Sequence, residues 1–292
     1  MTLKGSLVAI ITPFRDGRID EQALGDLIEW QIANGTDGIV PCGTTGESAT
    51  LTHEEHNRVI EFTIEVVKRR VPVIAGTGSN STEEAIALTR HARSAGADAA
   101  LLISPYYNKP SQEGLYRHHY AIAEAVEIPQ ILYNIPGRTA VNITPATVAR
   151  LARCPNIVGI KEGSGSLQQV SEIVQACGES FTVLSGDDAL TLPMLAVGAT
   201  GVITVTANIA PADMAALVDA WEAGETATAR AAHFKLYPLF QTLFVETNPV
   251  PVKQALSLMG KAGADVRLPL CQMTQENLDM LTGVMKGYGL IA

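Results

Sequence analysis

The chain has 292 residues, 47% of them hydrophobic and 17% charged. That is enough apolar material for a large core and excludes disorder or a disulfide-stapled mini-fold. With 21 Lys and Arg against 30 Asp and Glu, the net charge of −9 argues against nucleic acid or an anionic membrane as partner. It leaves room for a small anion held by one local Arg or Lys. Four scattered cysteines, Cys42, Cys154, Cys177 and Cys271, form no C-x-x-C pair and read as reduced thiols of a cytoplasmic protein. The N-terminus reads as free of a signal peptide.

In chain order, eight short apolar runs are expected as buried strands: Leu7–Ile11, Gly38–Pro41, Pro72–Ala75, Ala99–Ile103, Gln130–Tyr133, Ile157–Ile160, Phe181–Leu184 and Gly201–Val205. Amphipathic stretches separate them. Thr52-His53-Glu54-Glu55 and Ser81-Thr82-Glu83-Glu84 each fit the capping box at a helix start. Gly35, Gly96 and Gly198 each fall three residues before a run, where a glycine ends a helix in the left-handed conformation. The uncharged stretch 189–212 is broken by Pro193, Gly198, Gly201, Asn208 and Pro211, so it reads as helix, cap, strand and turn, not as a membrane span. Eight strand–helix units predict an α/β fold, a (β/α)8 TIM barrel over residues 1–224, with a doubly wound open sheet as the competitor. Residues 225–292 carry no further strands. They predict a C-terminal helical extension packed on the barrel, with helices near 225–245, 250–260 and 274–287.

In such a barrel, chemistry sits at the C-terminal strand ends. There the sequence places Gly43-Thr44-Thr45-Gly46-Glu47, Gly76-Thr77-Gly78-Ser79-Asn80, Pro105-Tyr106-Tyr107-Asn108, Tyr133-Asn134, Arg138, Lys161-Glu162 and Ser185-Gly186-Asp187-Asp188. Lys161 closes an almost wholly apolar run. Two readings stand from the local sequence. It is either an exposed lysine paired with Glu162, or a desolvated amine with a lowered pKa that attacks a carbonyl. Tyr133 and Tyr107 are either core-capping aromatics or proton-relaying hydroxyls. Arg138, after Pro136-Gly137, is either a solvated loop residue or a two-pronged clamp for a carboxylate. Glu47 is expected to tie down its own loop. His53-x-x-His56 lacks a third ligand and reads as a polar helix face, so no metal is expected. No glycine-rich dinucleotide fingerprint occurs, so neither NAD nor flavin is expected.

Together, Gly43–Glu47, Tyr106-Tyr107-Asn108-Lys109-Pro110, Tyr133-Asn134-Ile135-Pro136-Gly137-Arg138-Thr139, Gly159-Ile160-Lys161-Glu162 and Glu246-Thr247-Asn248-Pro249-Val250-Pro251-Val252-Lys253 resemble the dihydrodipicolinate synthase family, in the N-acetylneuraminate lyase superfamily of class I aldolases. The resemblance covers nearly the whole chain. It implies condensation of pyruvate with L-aspartate-4-semialdehyde in lysine and diaminopimelate biosynthesis, without a cofactor beyond a covalent pyruvate imine on Lys161. By it Tyr133 moves protons, Thr44 links Tyr133 to Tyr107 of a neighbouring subunit, and Thr45, Gly186 and the backbone of Ile203 hold substrate. Arg138 binds carboxylate. It further implies a homotetramer built as a dimer of dimers. L-lysine is the implied effector, at Ser48, Ala49, His53, His56, Asn80, Glu84 and Tyr106. Other pyruvate-dependent aldolases and a catalytically silent binding protein on the same barrel are the alternatives.

Overall fold

A computed structural model describes residues 3–292. Its eight parallel strands are β1 (Gly5–Ala9), β2 (Gly38–Val40), β3 (Ile74–Gly76), β4 (Ala99–Ile103), β5 (Gln130–Asn134), β6 (Ile157–Glu162), β7 (Thr182–Ser185) and β8 (Gly201–Thr204). Hydrogen bonding runs in the order β2-β1-β8-β7-β6-β5-β4-β3. A parallel bridge between Ile39 and Val73 joins the two ends, so the sheet closes on itself. Closure decides against the open sheet and makes the fold a TIM barrel. All eight predicted runs are strands, with ends displaced by at most two residues. A small antiparallel ribbon, Phe14–Arg15 with Arg18–Ile19, lies outside the barrel sheet.

Helices α1 (Glu21–Ala33), α2 (His53–Val67), α3 (Thr82–Ala95), α4 (Gln112–Ala125), α5 (Pro145–Leu151), α6 (Leu167–Cys177), α7 (Thr191–Ala196) and α8 (Pro211–Glu222) follow the strands in turn. Gly35, Gly96 and Gly198 have φ of +82°, +97° and +108°, the left-handed stops expected of them. The capping box at Thr52–Glu55 is complete. The one at Ser81–Glu84 is only half formed. The Ser81 hydroxyl accepts from the Glu84 N–H, but the Glu84 carboxylate turns away to Ser79 and His53, which offer it a hydroxyl and an imidazole instead of a single backbone N–H.

Alternation along the strands divides the apolar residues between two cores. Leu7, Ala9, Val40, Ile74, Leu101, Ile131, Leu184 and Ile203 fill the barrel interior. Residues of the opposite parity, such as Leu132 and Ile160, pack outward against the helices. Beyond α8 the chain forms α9 (Thr226–Thr242), α10 (Val250–Leu258) and α11 (Gln275–Tyr288), close to the helical stretches expected. Leu236, Leu239 and Phe240 of α9 and Leu281 and Met285 of α11 share one buried core with Met214, Leu217 and Val218 of α8. No helix is long and apolar enough to cross a membrane among the described residues.

Candidate active site

The register of two strands builds the centre of the site. Tyr133 near the end of β5 is the direct partner of Lys161 in β6, so both side chains enter the barrel from the same level. A register shift at Gln130/Ile131 sets that parity. One residue further on, Asn134 and Glu162 pair and point outward. The Asn134 amide donates to Glu162 Oε2 at 2.9 Å, and Gln169 donates to the same oxygen at 3.1 Å. Glu162 is therefore occupied on the helix side of the sheet. This removes the reading of Lys161 as an exposed lysine paired with Glu162. It is 6% exposed and not partnered by Glu162, because adjacent residues of a strand face opposite sides.

The Lys161 Nζ lies 4.4 Å from the centre of the Tyr133 ring. Its pKa is lowered to about 8, chiefly by burial; Asp188 opposes the shift and Arg138 adds to it. The Tyr133 phenol is pushed up to about 12, chiefly by burial and against the opposing pull of Arg138 and a hydrogen bond with Thr44. A cavity of about 60 Å³ opens among Thr44, Thr45, Tyr133, Arg138, Lys161 and Gly186, with Ile203 also in its wall. Gly186 sits where the β7 end meets β6. Its N–H donates to Glu162 O at 2.7 Å, and a Cβ there would crowd that carbonyl at 3.1 Å. Arg138 stands on a single helical turn, Pro136–Thr139, started by the proline.

Three groups emerge that had no role assigned from the residue pattern alone. Asn248 donates from Nδ2 to Thr45 Oγ1 at 3.0 Å, and its carbonyl accepts from Arg138 Nη2 at 3.3 Å. Because Thr45 Oγ1 accepts there, its own proton is free for another partner. Lys253 in α10, fully buried, puts Nζ 2.5 Å from Glu47 Oε1 and 3.0 Å from Thr12 O. Glu47 also accepts the Arg267 N–H at 3.1 Å, so it does tie down the Thr44–Thr45 loop, from a left-handed φ of +52°. Asp188, just past β7, is the third. The only signals were Asn-Pro-Val-Pro-Val-Lys and the doubled aspartate.

Tyr107 is not brought to this centre within the chain. It is 90% exposed, with φ +73°, on the loop after β4. The residues singled out as an effector set do converge. Ser48, Ala49, His53, His56, Glu84 and Tyr106 line a second cavity of about 460 Å³, which also reaches Thr44, Tyr133 and Arg138. His53 pairs with Glu84 at 2.9 Å, and a ring nitrogen of His56 lies 2.9 Å from Gly76 O. Burial is the main reason the His56 pKa is lowered. Asn80 is outside that lining, but its amide donates to Tyr106 O at 3.2 Å and so braces the wall.

Known proteins match this chain over almost its full length. The model of the dihydrodipicolinate synthetase family matches residues 2–287. The 4-hydroxy-tetrahydrodipicolinate synthase of Syntrophus aciditrophicus is 65% identical over 288 residues, covering 99% of each chain. The crystal structure of dihydrodipicolinate synthase from Aquifex aeolicus superposes with a TM-score of 0.98 at 52% identity, covering 99% of both chains. That of the Acinetobacter baumannii dihydrodipicolinate synthase complexed with pyruvate gives 0.97 at 48% identity, over 99% of this chain and 100% of the other. The chain belongs to the dihydrodipicolinate synthetase family, and so is an enzyme of the lyase class.

Proposed function

We propose that this enzyme condenses pyruvate with L-aspartate-4-semialdehyde through an imine on Lys161. One observation carries the reading: an amine buried inside a barrel, with its pKa brought down to about 8, lying over a phenol ring in the wall of a small cavity. At pH 7 roughly a tenth of such an amine is neutral, against under about a thousandth for an ordinary lysine. The neutral amine adds to the keto carbon, and loss of water gives the imine. The protonated imine draws electrons from the adjacent methyl group, which loses a proton and becomes a nucleophilic enamine. The enamine carbon then attacks the aldehyde. No cofactor enters this scheme.

Tyr133 shuttles the protons through Thr44, and Tyr107, projecting 90% exposed from its loop, serves the site of a neighbouring copy. Thr45, Gly186 and the backbone of Ile203 hold the pyruvate carboxylate end, and Arg138 takes the carboxylate of the second substrate. Exchange of Tyr107 requires at least a dimer, and we place the working form as a dimer of dimers in the cytoplasm. The cavity around His53, His56, Glu84 and Tyr106 suits an amino acid such as L-lysine. Glu84 meets its ammonium group, and the opening toward Tyr133 gives occupancy a route to the reacting centre.

Cyanoborohydride with pyruvate tests the reading. The expected result is a mass increase on Lys161 that vanishes in Lys161→Ala. Turnover of aspartate semialdehyde, set against N-acetylmannosamine and sugar aldehydes, separates a synthase from other pyruvate aldolases. The absence of any adduct would contradict the proposal. Millimolar L-lysine is expected to bind and slow turnover, and failure to do either removes the effector assignment.

A further inference from the structure

The loop after β7 buries a carboxylate that the scheme above does not use. Asp188 is 2% exposed. Its Oδ2 accepts from Thr206 N at 2.8 Å, Thr206 Oγ1 at 2.6 Å and Val205 N at 3.2 Å. Those donors form the turn that immediately follows β8, the strand carrying Ile203 into the cavity wall. The loop bearing Asp188 is itself pinned to the end of β6, where Gly186 N–H donates to the carbonyl next to Lys161. Asp188 thus spans from the Lys161 strand to the strand that walls the pyruvate end.

We propose that Asp188 is a positioning residue of this reaction, tethering the Val205–Thr206 turn behind Ile203 and presenting a buried negative charge to the Lys161 amine. The assignment rests on the reading of Lys161 as the imine-forming lysine. The Tyr133 ring lies against that amine, and the charges that act on it are Asp188 from the β7 side and Arg138 from the β5 side; Glu162 faces the other way. Of these only Asp188 favours the ammonium form. Asp188 itself meets Asp187, Thr204 and Thr206; burial and Asp187 raise its pKa, and the hydroxyl and N–H donors hold it down. Without Asp188, desolvation and Arg138 would act on Lys161 unopposed. The carboxylate therefore sets how far the amine is deprotonated, while its three accepted bonds fix the turn.

The test is the pH profile of pyruvate trapping by cyanoborohydride in the full-length enzyme, measured for wild type, Asp188→Asn and Thr206→Val. Asp188→Asn removes the charge and keeps the shape. Its half-maximal trapping is expected at least about half a pH unit below that of wild type. It is also expected to need about tenfold more pyruvate. Thr206→Val keeps the charge and drops one bond to it, so it should need several-fold more pyruvate with the pH midpoint unmoved. An unmoved midpoint in Asp188→Asn would overturn the proposal, as would a Thr206→Val midpoint displaced equally. If Asp188→Asn does not fold, unchanged pyruvate demand in Thr206→Val still overturns the tether. Wild-type enzyme that traps nothing would instead sink the imine reading itself, a distinguishable outcome.

Discussion

Among the described residues two lysines are buried, and the fold treats them in opposite ways. Lys253, at the seam where α10 meets the barrel, is met by Glu47 at 2.5 Å and by Thr12 O, with the Phe14 ring 4.2 Å from its Nζ. Lys161, inside the barrel, faces a phenol ring. Burial lowers the pKa of both and a carboxylate opposes it at each, but Glu47 is hydrogen-bonded to Lys253 whereas Asp188 acts on Lys161 only through its charge. A buried ammonium with a bonded anion is a structural tie. A buried ammonium without one is poised to lose its proton. Residue type and burial alone therefore do not separate a reactive lysine from a scaffolding one; the partner does.

The contrast can be broken by substitution. The largest effect is expected from Lys161→Met, which should lower turnover more than about a thousandfold and abolish the pyruvate adduct. The same variant should be the more stable protein at neutral pH. The folded-state pKa of about 8 lies below the ordinary 10.5, so the unfolded chain binds the proton more tightly. Stability of the wild type therefore rises as pH climbs from about 8 to about 10.5. Denaturant unfolding should find Lys161→Met more stable by up to about 3 kcal/mol at pH 7, with the difference gone above pH 10.5. Equal stability at pH 7 would mean that the Lys161 charge is not desolvated.

Tyr133→Phe removes only the hydroxyl and leaves the ring against the amine. Turnover is expected to fall by about 10²–10⁴-fold, with trapping slowed but still on Lys161. At the other lysine the outcome should be structural. Glu47→Gln leaves Lys253 buried and uncompensated and should cost about 3–5 kcal/mol in denaturant unfolding. Loss of activity without loss of stability would show that Glu47 belongs to the chemistry, not the scaffold. The smallest effect serves as a reference. Lys235, paired with Asp213 at 2.8 Å on the surface, should change stability by under about 1 kcal/mol when replaced by Ala.

Much of the barrel was legible in the sequence because most strands are buried on both faces and read as nearly continuous apolar runs, bounded by glycine stops such as Gly96 and caps such as Thr52. Lys161 was legible because a charge at the end of such a run is conspicuous. Its orientation was not, since that depends on the pairing of β5 with β6 and on the shift at Gln130/Ile131. Lys253 was not readable as a partner of Glu47 because 206 residues separate them. Asn248 escaped for the same reason, its bond to Thr45 spanning 203 positions. The second half of the Ser81–Glu84 box failed because pattern matching counts a glutamate at the right spacing without asking what else it can bond. Ser79 and His53 were within reach of Glu84.

The claim that a protein interior, rather than a base or a metal, prepares Lys161 for attack is tested most directly by titrating that side chain alone. Enzyme carrying ε-carbon-13 lysine, with the Lys161 signal identified by its disappearance in Lys161→Met, should show a midpoint at about 8. A midpoint near 10.5 would mean an ordinary, hydrated amine and would contradict the account.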